Sequence, residues 1–223
     1  MKVMILAAGL GERMRPLTDV TPKVLLEVTG KPLIYYHLER LAKVGVTDVI
    51  VNICHLAEQL EESLGSGRQW GLNISFSREL EPLETAGGII RALPLLGEQA
   101  FLIVNGDVWT DYPFEQLLEK SLTRNNLAHL VMIDNPPQHI NGDFYLGEDG
   151  QLLAQAEPGA QARTYAGIGL YTADFFKGVE AGKLALKPLL DKAIAQGQIS
   201  AEYYGGEWFD VGTPNRLAQL NQP

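Results

Sequence analysis

Through its first 134 residues the chain alternates two kinds of segment, and this alternation limits the fold more than any other feature. Short apolar runs at Met1–Ala8, Asp48–Cys54, Phe101–Asp107 and Leu127–Ile133 read as buried strands, and Leu72–Ser77 alternates as a strand does. Between them Pro32–Val44, Leu56–Leu64, Thr85–Leu96 and Phe114–Thr123 carry apolar residues at helical spacing, with Pro32 suited to a helix start and Thr85 to a cap. Strands apolar on both faces must be covered on both faces. The expected architecture is therefore an α/β fold, a mostly parallel sheet with helices on both sides, whose ligand sits at the carboxyl ends of the strands.

After about residue 135 the pattern changes. Pro136-Pro137 interrupts the chain, Gly147-Glu148-Asp149-Gly150 reads as a hairpin turn, and Arg163–Tyr171 and Ile199–Phe209 read as strands. One helix, Lys187–Ala195, lies between them, and Thr213-Pro214 starts a short closing helix. We expect one domain of 223 residues, with a core over 1–134 and a small strand-rich lobe with closing elements over 135–223.

Charge and cysteine usage exclude several classes. Eighteen basic against 27 acidic residues leave a formal charge of −9, which repels polyanions and offers no stripe for a nucleic-acid backbone. Phosphate handled by such a chain is expected to come with a metal ion. The single cysteine, Cys54, leaves no disulfide framework and fits a reducing compartment. No stretch approaches the ~20 apolar residues of a membrane helix. A soluble, cytoplasmic chain is expected.

The chemistry concentrates just beyond the first strand, in Leu6-Ala7-Ala8-Gly9-Leu10-Gly11-Glu12-Arg13-Met14-Arg15-Pro16-Leu17-Thr18 and then Thr21-Pro22-Lys23. Glycines let backbone N–H groups approach phosphate oxygens, arginine grips them in a fork, and lysine supplies a compact charge. A dinucleotide fingerprint fails, because Met14 stands where its third glycine would be and Pro16 forbids the immediate helix. A P-loop fails too, since no Gly-Lys-Ser/Thr follows Gly11. A second constellation, Val104-Asn105-Gly106-Asp107-Val108, ends an apolar strand, and period-two alternation puts Asn105 and Asp107 on one side. An aspartate there suits Mg²⁺, which prefers carboxylate, substrate phosphates and water to an all-protein cage.

Gly9, Gly11, Arg13, Pro16-Leu17-Thr18 and Pro22-Lys23 resemble the signature of the sugar-1-phosphate nucleotidyltransferases. The resemblance covers nearly the whole chain and implies a Rossmann-like mixed sheet of nucleotide-diphospho-sugar transferase (GT-A-like) type with a sugar-binding lobe. It implies further that Ala7, Gly9, Gly11, Glu12, Arg13 and Lys23 hold the triphosphate, with Glu12 replacing the usual hydroxyl residue. Trp208-Phe209-Asp210-Val211-Gly212-Thr213-Pro214 is similar to the late aspartate motif of the family, so that Asp210 joins Asp107 on one Mg²⁺ or two. Arg13, Lys23, Asp107 and Asp210 become the expected catalytic set.

In the segment Glu79–Gly88, a base-reading loop by the same resemblance, Glu79, Thr85 and Gly87 are expected around the base, with Asn105 nearby. Gly142, Glu157 and Gly167 match the sugar positions of the family, and Asn105 and Asp143 are expected beside them, Asp143 as a reader of the sugar substituent. Asp143 is equally a turn former of the kind loops use. The chain departs from the family at Glu157-Pro158, where a Glu-Lys-Pro segment would supply a lysine to the sugar phosphate. Arg163 or a second metal ion is the expected substitute. His37, His55, His129 and His139 form no spaced pair and receive no role, and Tyr203, Tyr204, Trp208 and Phe209 are expected to pack the lobe.

The expected reaction joins a nucleoside triphosphate, UTP in the first instance, to a sugar 1-phosphate and releases pyrophosphate. Within the family, the short chain and the Gly-Glu-Arg-Met-Arg-Pro-Leu-Thr variant resemble the branch that uridylylates N-acetylmuramate 1-phosphate in cell-wall sugar recycling. Enzymes that guanylylate mannose 1-phosphate share the first signature and stand as the alternative. A non-catalytic sugar-nucleotide sensor and a dinucleotide-dependent oxidoreductase are readings of other classes. A monomer is expected.

Overall fold

In the computed structural model, which describes residues 1–123 and 125–222, a nine-stranded mixed sheet runs through both halves of the chain. The strands are β1 (Lys2–Leu6), β2 (Glu27–Val28), β3 (Lys31–Pro32), β4 (Asp48–Ile53), β5 (Asn73–Arg78), β6 (Phe101–Asn105), β7 (Val108–Thr110), β8 (Ala128–Ile133), β9 (Phe144–Leu146), β10 (Leu152–Leu153), β11 (Gln161–Tyr171), β12 (Ile199–Tyr203) and β13 (Trp208–Asp210). The helices are α1 (Leu33–Lys43), α2 (Ala57–Leu64), α3 (Glu84–Leu96), α4 (Glu115–Leu118), α5 (Lys187–Ala195) and α6 (Pro214–Leu220).

β1 pairs in parallel with β4 on one side and β6 on the other, and β5 extends the parallel part beyond β4. β11 adds antiparallel to β6 and to β8, and β12 closes that edge parallel to β8. Successive connections thus leave β1 in opposite directions. Such a switch point opens a crevice beyond the carboxyl ends of the strands.

Alternate residues of β1 enter two separate cores, as a doubly covered strand requires. Val3 and Ile5 pack with Ile34, Leu38 and Leu41 of α1, whereas Met4 packs with Ala86, Ile89 and Ala92 of α3. Each large aliphatic side chain buried in this way contributes roughly 1.5–3 kcal/mol. These contacts fix where β1 ends, and hence where the glycine-rich loop starts. No helix among the described residues is long and apolar enough to cross a membrane.

Three elements differ from the reading of the sequence. The helix expected over Phe114–Thr123 shrinks to α4, because Lys120 turns to Glu202 at 3.0 Å and the residues beyond Leu118 carry no continuous apolar face. The strand expected over Ile199–Phe209 divides into β12 and β13: Tyr204 donates its N–H to Met132 O at 2.7 Å, Gly205-Gly206 follows, and β13 pairs with β7 instead. Thr85 is not a cap. α3 begins one residue earlier at Glu84, and Thr85 falls within its first turn.

Two histidines that the sequence left without a role hold the frame together. His129 pairs with Glu202 at 3.1 Å; burial opposes charge on that carboxyl, but the bonds from His129, Tyr112 and Lys120 hold its pKa down at about 2. His37, 1% exposed on α1, meets Val108 O at 2.7 Å through Nε2, which donates to the carbonyl and braces β7. Burial lowers the pKa of His37 from 6.5 to about 4. The folded state keeps His37 neutral where the unfolded chain already binds a proton. Its contribution is therefore whole above pH 6.5 and is lost as pH falls toward 4, by up to about 3 kcal/mol. Urea titrations between pH 7 and 4 should show this slope in the wild type and lose it in His37→Gln; equal slopes would remove the assignment.

Candidate active site

The crevice at the strand ends contains a cavity of about 350 Å³ whose wall joins the ends of β1, β4, β5 and β6. Ala7, Ala8 and Gly9 come from the loop after β1, Asn105 and Asp107 from the end of β6, and Glu84 and Thr85 from the start of α3. Lys23 enters from a short 3₁₀ turn (Lys23–Leu25). Motifs separated by up to a hundred residues in sequence thus meet at one place.

Gly11 has φ +64, and a Cβ there would lie 2.7 Å from Thr18 Cγ2. Only glycine satisfies both conditions cheaply. The turn is tied by Met14 N–H and the Thr18 hydroxyl, which both donate to Gly11 O, at 2.8 and 2.7 Å. Arg13 and Glu12 stand exposed on this turn, and Arg13 makes no ion pair among the described residues. Arg15 is held by Asp19 at 3.2 Å. The N–H groups of Ala8 and Gly9 make no hydrogen bond among the described residues, which leaves them for an anionic ligand.

Lys23 Nζ meets Asp107 Oδ2 at 2.5 Å. The backbone of Asp210 comes beside Asp107 because β13 pairs with β7: Asp210 stands opposite Val108, and Val211 N–H donates to Asp107 O at 3.0 Å. Asp210, like Gly11, Glu12 and Arg13, lines neither this cavity nor the one adjoining it. Asp210 Oδ2 is bonded by Arg216 of α6. In both carboxylates Oδ2 takes the cation, and no hydrogen bond reaches either Oδ1 among the described residues. No group of three or more His, Cys, Asp or Glu clusters for a metal among those residues. Asp107, a hard oxygen donor in the wall of an open cavity, suits Mg²⁺ with phosphate and water as its other ligands and does not suit a soft or closed site.

The loop Glu79–Gly88, expected to read the base, is built differently from that expectation. Glu79 is 4% exposed, and both its oxygens face inward: Oε1 accepts from Asn52 Nδ2 at 2.7 Å and Oε2 from Leu83 N–H at 3.0 Å. Asn52 Oδ1 in turn accepts Ala7 N–H at 2.8 Å. The N–H of Gly87 is likewise engaged, by Leu184 O at 3.1 Å. Glu79 and Gly87 shape the cavity from behind. The donors left at its surface are the N–H groups of Glu84 and Thr85, which have no intrahelical partner at the start of α3.

A second cavity of about 270 Å³ adjoins the first, and Thr85 and Asn105 line both. Asp143 and Tyr165 line it as well. Gly142 precedes Asp143 and lies against Asn135 and Arg163. Gly167 sits at a bulge of β11, and a Cβ there would come within 2.5 Å of the Asn105 amide, so glycine lets Asn105 lie flat on the strand. Asp143 accepts from Tyr165 N–H at 2.9 Å and from His139 Nε2 at 3.0 Å.

Two sugar-side expectations do not hold geometrically. Glu157 lies in an exposed turn, its carbonyl accepting Ala160 N–H, and lines neither cavity. Arg163 is drawn away by Asp134 at 2.5 Å and lies 4.5 Å over the Tyr203 ring. The cations that do line the cavities beside Lys23 are Lys183 and Lys187. Sequence reasoning passed over them, as it did Asn52 and Arg216. For Asn52 a signal existed, a lone amide in the apolar run Val49–Cys54.

The profile of the nucleotidyl transferase family matches residues 2–223. An N-acetylmuramate alpha-1-phosphate uridylyltransferase of Neisseria meningitidis is 48% identical over 98% of this chain and 96% of its own length. A mannose-1-phosphate guanyltransferase of Hypocrea jecorina is 30% identical over 96% of this chain, which spans only 61% of that protein. Among solved structures, a Bacillus anthracis protein assigned as a glucose-1-phosphate thymidylyltransferase superposes with a TM-score of 0.84 at 22% identity, covering 99% of this chain and 94% of its own. HddC of Yersinia pseudotuberculosis, solved with GMP-PN, gives 0.82 at 23%, covering 99% and 97%. These two establish the fold, and the profile with the Neisseria relative establishes the family: the chain belongs to the nucleotidyl transferases.

Proposed function

We propose that this protein transfers uridylate from UTP to N-acetylmuramate α-1-phosphate, giving the UDP-sugar and pyrophosphate. The reaction class is supported by the pairing of Lys23 with Asp107 in the wall of a two-part cavity whose shared wall, Thr85 and Asn105, is where two substrates would meet, with Asp210 on the strand beside it. The choice of substrates is supported by the likeness, along nearly the full length of both chains, to the Neisseria protein.

A phosphate oxygen of the sugar 1-phosphate forms the new bond to the α-phosphorus of UTP while the bond to the β-phosphate oxygen breaks and pyrophosphate leaves. The attacking group has its second pKa near ~6 and needs no general base at neutral pH. Catalysis is then positioning and charge stabilisation. Arg13, with no ion pair of its own among the described residues, binds the leaving pyrophosphate, helped by Arg15 and the N–H groups of Ala8 and Gly9. Lys23 waits on Asp107 and exchanges that partner for the α-phosphate oxygens when nucleotide binds. Asp107 and Asp210 would hold a Mg²⁺ ion, which when bound supplies positive charge for phosphate oxygens. We place the enzyme in the cytoplasm, as a monomer returning a cell-wall sugar to use.

The test is pyrophosphate release from UTP, GTP, dTTP and CTP, each with the 1-phosphates of N-acetylmuramate, N-acetylglucosamine, glucose and mannose. Release is expected with UTP and the muramate sugar, should stop on addition of EDTA, and should return with excess Mg²⁺. Release with GTP and mannose 1-phosphate would move the protein to the guanylyltransferases, and silence from every pair to a sugar-nucleotide sensor.

A further inference from the structure

The acidic sugar of the proposed reaction brings two negative groups, a 1-phosphate and the carboxylate of its lactyl ether, and the segment leading into α5, with the first residue of that helix, offers one lysine to each cavity. Lys183 lines the first cavity together with Lys23 and Asp107, and Lys187 is the one cation among the residues lining the second. Leu184 fixes their placement: its N–H donates to Leu83 O at 2.9 Å and its carbonyl accepts Gly87 N–H at 3.1 Å. The segment is pinned to the start of α3 at the boundary between the two cavities.

Neither lysine is committed elsewhere in a way that would withhold it. Lys183 makes no ion pair among the described residues. Lys187 pairs with Asp191 at 2.7 Å, an i,i+4 contact between side chains 59% and 51% exposed, of the weak and salt-screened kind. Its ammonium also lies 4.7 Å from the centroid of Phe144, a buried ring in the cavity wall. That contact keeps the charge at the cavity while the stem covers apolar surface. Asp143, also in the wall, is an anion with both oxygens bonded already and cannot attract a carboxylate.

We propose that Lys187 binds the carboxylate of the sugar substituent and that Lys183 holds the sugar phosphate, taking the place of the lysine missing at Glu157-Pro158. The proposal rests on the reading of N-acetylmuramate 1-phosphate as substrate. N-acetylglucosamine 1-phosphate is the same molecule without the lactyl group, so the pair of sugars isolates the carboxylate.

The experiment compares kcat/KM for both sugar phosphates with saturating UTP in the wild type, Lys187→Ala, Lys187→Arg and Lys183→Ala. Where the neutral sugar turns over too slowly, its inhibition constant against the acidic one replaces KM. Lys187→Ala should lower the preference for the acidic sugar about tenfold or more through its KM, with KM for UTP unchanged, and Lys187→Arg should restore most of it. Lys183→Ala should weaken both sugars by the same factor, again about tenfold. A preference that survives Lys187→Ala, or a Lys183→Ala loss confined to one sugar, overturns the proposal alone. A wild type that does not prefer the acidic sugar overturns the substrate reading and this proposal with it.

Discussion

Lys23→Ala should lower kcat by about 10³-fold while the protein stays folded, because a preorganised charge aimed at a transferring phosphoryl group is worth that much. Lys23 is well placed for such a role: it stands on a short turn fixed by Leu25 N–H to Pro22 O at 2.8 Å, and its ammonium already lies within the cavity. Asp107→Asn should cost a similar factor by removing one of the two carboxylates proposed above to hold Mg²⁺. The loss in stability should be small, since the Asp107 side chain is 35% exposed and its pair with Lys23 is partly screened. The double variant is the sharper measurement. Groups that act as a unit fail together, so the two changes combined should lose scarcely more than the worse of them. Multiplied losses, or wild-type turnover in either single variant, would separate Lys23 and Asp107 into unrelated roles.

What could be read in the sequence follows the range of the interactions concerned. The loop after β1 stood out because its glycines and cations are a local pattern, and the structure places its Gly9 and Lys23 in the cavity wall while Gly11 and Arg13 stay outside it. Asp107 was legible because an apolar strand ending in Asn-Gly-Asp is a local pattern as well. Asp210 required the family resemblance, since only the β7–β13 ladder brings it to Asp107 and no spacing encodes a contact across a hundred residues. Lys183 and Lys187 carried no signal at all: lysines four apart beside a helix start look like a solvated surface, and the pinning by Leu184 that turns them to the cavities is tertiary. The division of Ile199–Phe209 was hidden for a related reason. β-branched and aromatic content marks a strand but does not say which neighbour it will pair with.

Glu79 exposes the limit of residue-type reasoning, and its replacement should have the largest effect on the frame of the site. A carboxylate in a base-reading loop suggests a group that accepts a hydrogen bond from the base, yet both oxygens of Glu79 are engaged inside the protein. The chain of bonds runs from Ala7 N–H to Asn52, from Asn52 to Glu79, and from Leu83 N–H back to Glu79. It ties the ends of β1, β4 and β5 to the loop that precedes α3. Glu79→Ala leaves two buried donors without acceptors, at ~1–3 kcal/mol each, and should lower Tm by about 10 °C. Glu79→Gln is nearly isosteric but fares little better. If its oxygen faces Leu83, its amide faces Asn52, which must then turn its own NH₂ toward Ala7 N–H; if its oxygen faces Asn52, its amide faces Leu83 N–H. One pair of donors collides in either arrangement. We therefore expect Glu79→Gln to be destabilised by about 2 kcal/mol and to raise KM for UTP about tenfold with the preference for uracil intact. A Glu79→Gln protein of wild-type Tm whose base preference has shifted would show instead that the carboxylate reads the base.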